Sequence, residues 1–306
     1  MPTFTRAAGA AMGRATGARS KTWHAGGYTC HVQPQQRQDM DAAHDDACPG
    51  DTARNTREQA RDTENRILFW LHRFGYLTAA QVAVLVYIQH SQSEAMARRT
   101  LLRLEQRGLV LRHKGRIGEH GVYALSLAGA RQVFNVHELP ATSGKDIVRF
   151  PSTHRNHAND TAIRLWQRGW SVYTEREVLT GQAPFQKLGQ KVPDTLGVDD
   201  EGRVLWVEVE ACRRGGRDLK NLATWLVRVA FPVGLDTLTP LDPPRERHYL
   251  ERVRFVLAVP AARTLAKRLT SALAPLLEPL GQTVQDFAAN RLEFEVPGQP
   301  LQVGFR

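Results

Sequence analysis

The sequence predicts an α+β chain in two parts: a helical unit closed by a β-hairpin, then an α/β domain. Three observations carry that prediction. Apolar residues recur at helical spacing through residues 63–107, and two short strand-like runs around a glycine-containing turn follow them. Beyond residue 149, short apolar strands alternate with amphipathic helices, the pattern of a mixed sheet. The 306-residue chain is 42% hydrophobic and 24% charged, which sets aside a collagen-like or wholly disordered protein and suggests roughly two domains.

Residues 1–62 are expected to form a disordered tail. They are rich in Ala, Gly, Thr, Arg and Asp and keep no apolar period, so little burial would offset the entropy of ordering them. No apolar core of 7–15 residues follows the early arginines, which argues against a secretory signal. Order is expected from Thr63. Ile67, Leu68, Leu71 and Phe74 share a helix face, and Gly75 ends it. Thr78 is a suitable N-cap for a short second helix carrying Val82, Leu85 and Val86. Ser91 or Ser93 opens a third, which runs to Arg107 and stops at Gly108. Residues 109–113 and 122–126 form the hairpin, and a further helix starts near Leu127.

Three helices and a two-stranded ribbon in residues 63–138 describe a winged helix-turn-helix. The runs Arg107-Gly108-Leu109-Val110 and Val122-Tyr123-Ala124-Leu125-Ser126-Leu127-Ala128-Gly129 resemble the closing half of bacterial winged-helix domains. Ala97, Leu101 and Leu104 line one face of the third helix, and Arg99, Arg103 and Gln106 the other. Arg98 lies on the same helix, and Arg112, Lys114 and Arg116 sit at the wing. Residues 91–116 hold seven Lys or Arg against two Glu. A solvated helix face could carry any one of these arginines. An excess on both helix and wing points to double-stranded DNA, with the helix in the major groove and the wing on backbone. The net charge of +10 agrees with a polyanionic partner.

A linker is expected around residues 139–148, followed by the second domain over residues 149–306. Residues 153–168 read as helix, 170–179, 191–198 and 203–210 as strands, 217–230 as an amphipathic helix, 252–259 as a strand and 261–280 as a helix, with a last strand or hairpin at 291–305. That αβββαβ order, with Pro193-Asp194 ahead of one strand and Glu208-Val209-Glu210 ending the next, resembles the restriction-endonuclease-like PD-(D/E)xK fold. The resemblance implies Asp194 and Glu208 as Mg²⁺ ligands and catalytic acids. It also implies a lysine two residues after the second acid, where period-2 alternation returns the side chain to the metal's face. Glu210 occupies that position and reverses the charge. Either the cation has migrated, with Lys220, Lys191, Arg213 and Arg214 as candidates, or cleavage is lost and the acids are vestigial. Pro-Asp turns and Glu-x-Glu strand faces are also common without any catalytic role.

His154, His157, Asn159 and Asp160 on one helix, then Pro193-Asp194, then Glu208, Glu210, Arg213 and Arg214, resemble the replication-relaxation family over residues 63–260. That family comprises accessory factors of plasmid or integrative-element mobilisation, DNA relaxation and replication, with a relaxase or other relaxosome protein as partner. One departure is the Ala211-Cys212 insertion before the arginines. On the residues alone, Asn159 on an apolar face is expected to tie its helix to a neighbouring loop. Asp160 could join the acids as a third metal ligand or pair with Arg164 four residues on, and the ion pair is the favoured expectation; His154 and His157, three apart, could share a metal but are expected to be polar surface residues.

Three functions follow as expectations: a DNA-binding accessory factor, an active Mg²⁺-dependent nuclease, or a winged-helix transcription regulator whose second domain dimerises or senses. Glu210 argues against the nuclease. Three cysteines without CxxC spacing argue against a disulfide framework and for a reducing, cytoplasmic setting. No stretch approaches the ~18 apolar residues of a membrane span. Homodimerisation stays open.

Overall fold

The computed structural model describes residues 49–114, 121–149, 151–184, 191–230, 249–299 and 301–304. Helix α1 (Pro49–Phe74) begins at Pro49 rather than Thr63, so part of the expected tail is helical. The rest of that tail, residues 1–48, lies outside the described residues. Ile67, Leu68, Leu71 and Phe74 of α1 are fully buried. The short β1 (Leu77–Thr78) leads into α2 (Ala79–Val86), where Thr78 and Gln81 form a reciprocal capping box. Helix α3 (Ser93–Gln106) packs on α2 through Ala97, Leu101 and Leu104, and Tyr87 Oη and Thr100 Oγ1 share a buried 2.9 Å hydrogen bond between them. β2 (Val110–His113) and β3 (Val122–Leu125) pair antiparallel, and β1 adds to the other edge of β3, in the order β1-β3-β2. α4 (Leu127–His137), N-capped by Ser126, packs back on α1. Gly129 lets it approach closely, since a Cβ there would sit 2.1 Å from the Leu109 carbonyl.

The expected linker is instead packed structure. Gly144 N–H donates to Leu125 O at 2.9 Å, and a Cβ on Gly144 would press the Ala124 methyl at 2.7 Å. α5 (Lys145–Arg149) follows and buries Val148 beside Tyr76, Val122 and Ala124.

The remaining elements build a six-stranded sheet, ordered β4-β5-β6-β7-β8-β9. These are α6 (Thr153–Gln167), β4 (Ser171–Thr174), α7 (Glu175–Leu179), β5 (Thr195–Val198), β6 (Arg203–Glu210), α8 (Gly216–Ala230), β7 (Tyr249–Leu257), α9 (Leu265–Leu277), α10 (Val284–Arg291), β8 (Leu292–Glu295) and β9 (Gln302–Val303). The β4-β5-β6 meander is antiparallel, β7 and β8 run parallel to β6, and β9 turns back. α6 covers one face, setting Ala158 and Leu165 on Leu205, Val207 and Val256. α8 and α9 cover the other, setting Leu222, Leu226, Leu269 and Leu273 on Leu196, Trp206 and Phe255. The chain is therefore a mixed α and β protein with layered helices and sheets.

The expected strand over residues 170–179 stops at Thr174. Its hydroxyl and the Glu177 carboxylate cap each other's backbone, and α7 starts there. The single helix expected over residues 261–280 is α9 with a 3₁₀ turn at each end. α6 also belongs to the first half: Ala162 and Ile163 join the cluster around α1 to α4, and Trp166 meets Trp70 edge-on at 5.4 Å.

Candidate functional site

Two sets of charged residues lie on different elements, one on α3 and one at the end of β6. On β6, alternation puts Trp206, Glu208 and Glu210 on one face and Leu205, Val207 and Val209 on the other. Thr195 pairs with Val207, and Asp194 N–H donates to Val207 O at 3.0 Å, so Asp194 stands one register step on, beside Glu208. Asp194, Glu208 and Glu210 thus lie at one end of the sheet.

Each carboxylate is held from within. Glu208 accepts from Trp206 Nε1 at 2.7 Å and from Lys191 Nζ at 2.7 Å, while Arg214 Nη2 lies 3.5 Å away. Burial pushes the Glu208 carboxyl above its ordinary value; Lys191 works against that shift and Asp194 adds to it. Lys191 also lies 5.0 Å over the Trp225 ring. Arg214 Nε bonds both Glu210 oxygens, at 2.7 and 2.9 Å. Burial favours the neutral guanidine of Arg214, but Glu210, Glu208 and Asp194 outweigh it and hold the charged form more tightly than usual. Asp194 Oδ2 accepts from Val209 N–H at 2.7 Å and sits 3.1 Å from His154 Nε2. That contact raises the His154 pKa, against the opposing pull of burial.

His154 is therefore no isolated surface histidine: the start of α6 delivers it to Asp194. The cations beside the acids are Lys191 and Arg214. Lys220 is exposed on α8, where its carbonyl accepts from Thr224 Oγ1, and Arg213 is exposed. Among the described residues, no three His, Cys, Asp or Glu side chains group as metal ligands. These carboxylates are engaged by Lys191, Arg214, His154, the indole and a backbone amide, so a Mg²⁺ ion bound here would have to displace Lys191 and Arg214 from them.

Asn159 and Asp160 face the first half. Asn159 is buried and Nδ2 donates to Tyr76 O at 2.8 Å. Asp160 does not pair with Arg164. It accepts from Gln81 Nε2 at 2.7 Å, because α6 packs against α2, and Arg164 is drawn to Glu295 and Thr161 Oγ1.

On α3, Arg98 pairs with Glu94. Arg103 Nε reaches Glu64 at 2.8 Å and Arg107 Nη1 reaches its other oxygen at 2.5 Å. Glu64 is a buried carboxylate on the inner side of α1, so Arg103 is turned partly inward, to a structural partner. Arg99 and Gln106 are exposed, and among the described residues Arg99 forms no ion pair. Arg112 lies 5.6 Å over the Tyr123 ring, and Lys114 is exposed at the end of β2. Arg116 lies outside the described residues.

No family model, curated protein or solved structure matches this chain. Among the described residues no helix is long and apolar enough to cross a membrane.

Proposed function

We propose that this protein is a double-stranded DNA-binding accessory factor of plasmid or integrative-element mobilisation, relaxation or replication. In this reading residues 63–138 are a winged helix-turn-helix and residues 149–306 a restriction-endonuclease-like core that retains its fold without strong cleavage. The observation that carries the reading is the α1-β1-α2-α3-β2-β3 unit with sheet order β1-β3-β2, which leaves one cationic face of α3 open to solvent. Such a helix fits the major groove of B-DNA, and Lys114 at the end of β2 is exposed for the adjoining backbone. In the second half, Lys191 and Arg214 neutralise Glu208 and Glu210, which supports reading that site as a structural charge cluster.

One observation favours a nuclease as second reading: Lys191 places an ammonium 2.7 Å from Glu208, supplying the cation that Glu210 replaces in the sequence. A single experiment separates the two. Full-length protein is incubated with supercoiled plasmid and Mg²⁺ over a salt series, and both retardation and nicking are scored. Retardation that weakens steeply with salt, without nicking, is the expected result. Absence of retardation at low salt would overturn the DNA-binding reading. Nicking that disappears in Glu208→Ala would establish the nuclease instead.

A further inference from the structure

α3 carries an exposed leucine in the middle of its charged face. Leu102 is 39% exposed, whereas Leu101 and Leu104 on either side are fully buried. A lone exposed leucine is ordinary on a protein surface. This one has particular neighbours. At 100° per residue, Ala95, Arg99, Leu102 and Gln106 fall within one narrow strip of the helix, and all four are exposed. The remaining arginines flank that strip and are ion-paired: Arg98 with Glu94, and the half-exposed Arg103 and Arg107 with Glu64 on α1. The strip therefore presents one guanidinium, one branched apolar side chain and one amide, in that order.

Each of these three groups matches a different base edge. A guanidinium bonds O6 and N7 of guanine, an amide bonds N6 and N7 of adenine, and an apolar side chain packs on the C5-methyl of thymine. From Arg99 to Gln106 the helix rises about 10 Å, roughly the span of three stacked base pairs at ~3.4 Å each. A strip of backbone-contacting lysines would carry no such information.

We infer that Leu102 is a specificity-determining residue that reads a thymine methyl, between a guanine read by Arg99 and an adenine read by Gln106. The inference rests on the winged-helix reading proposed above. It adds that the recognised duplex contains a thymine whose methyl group, and not its hydrogen-bonding edge, is sensed.

The test starts from a duplex selected by the full-length protein from a randomised pool. Each thymine is replaced in turn by deoxyuridine, which removes the methyl and leaves base pairing intact. One substitution should weaken binding by the parent about fourfold, the worth of a single buried methyl. Leu102→Ala, a change at an exposed helical position that favours helix, should bind the thymine duplex about as weakly as the parent binds the uridine duplex. It should also show no thymine-to-uridine difference at that position. Arg99→Ala should relax the guanine preference and keep the methyl effect. If the parent binds a selected duplex and no uridine substitution matters, or if Leu102→Ala keeps the full methyl effect, the inference fails while the DNA-binding reading survives. If the full-length protein selects no duplex and retards none, both fail together.

Discussion

Lys191 and Arg214 at the end of β6 direct their charge onto buried carboxylates, whereas Arg99 on α3 faces solvent without an ion pair among the described residues. The two regions use the same side-chain chemistry under different dielectric conditions. Beside Glu208 and Glu210, both buried, a charge left alone would suffer a large desolvation penalty, so acids and bases are locked together. On the open face of α3 a cation is hydrated at little cost and remains available to a polyanion. Counting arginines along the sequence therefore overestimates the cations that stand without an ion pair. What matters is whether a buried carboxylate stands within reach, as Glu64 does for Arg103 and Arg107.

The sharpest way to break this contrast is to reverse one charge in the locked cluster. Glu210→Lys sets an ammonium against Arg214 in a buried place and leaves that guanidinium only its longer, 3.5 Å contact with Glu208. A loss of about 3–5 kcal/mol is expected, read from urea unfolding followed by circular dichroism. At temperatures where the variant stays folded, its DNA affinity should match the parent's. A nearly neutral effect on stability would show that the pair is not what holds this end of the sheet.

Two histidines extend the contrast to pH. His72, buried on α1, has no hydrogen-bond partner for Nδ1 among the described residues. Burial, followed by the charge of Arg176, lowers its pKa from 6.5 to about 4. A folded-state value below the unfolded one means the unfolded chain binds the proton first. Stability is then level above pH 6.5 and falls as pH drops towards 4, by roughly 3 kcal/mol in all. His154 has the opposite sign. Its pKa is raised by Asp194, so its contribution is complete below pH 6.5 and is lost as pH rises through the folded value. His72→Gln should flatten the acid limb of a melting-temperature profile, and His154→Gln the neutral-to-alkaline limb. An unchanged acid limb in His72→Gln would refute this assignment.

Next in size is the division of labour on α3. Arg99→Ala should leave stability within about 0.5 kcal/mol and reduce DNA affinity by at least tenfold if it holds a guanine. Arg103→Ala should do less to affinity and more to stability, by about 1 kcal/mol, since Glu64 keeps Arg107 as partner. Equal effects of the two substitutions on both measurements would erase the distinction between open and locked cations.

How much of this was legible beforehand depends on the range of the interaction. The bounds of β6 and its alternation are local, so Trp206, Glu208 and Glu210 could be set on one face from the sequence, as could the Thr78 cap. The three helices and hairpin of the first half also follow local periodicity. α7 is not legible from the sequence, although Thr174 and Glu177 have capping-box spacing, because β-branched and aromatic residues just before them favour a strand. The partners of Asp160 and His154 were beyond reach, because both depend on how α6 packs against α2 and against the residues leading into β5. Glu64 was readable in principle. It shares helical spacing with Ile67, Leu68 and Leu71, and a carboxylate on an apolar stripe demands a cation. That signal calls for a cation beside α1, while the choice of Arg103 and Arg107 depends on how α3 packs against it.

The smallest expected effect is at the wing, and it tests whether exposure alone separates the two kinds of cation there too. Lys114 is exposed at the end of β2, so Lys114→Ala removes charge and little else. Arg112 is half-buried with its guanidinium 5.6 Å over Tyr123, so Arg112→Ala also removes a stacking contact. Each phosphate contact contributes about 0.9 to the slope of log affinity against log salt. If both residues contact backbone, both substitutions lower the slope by about 1 and weaken binding equally across sequences. Only Arg112→Ala should also lower the unfolding midpoint, by the ~0.5–1 kcal/mol of a partly exposed cation–π contact. A Lys114→Ala variant with an unchanged slope would mean that the strand end points away from the duplex, and the DNA contact would then narrow to the strip on α3.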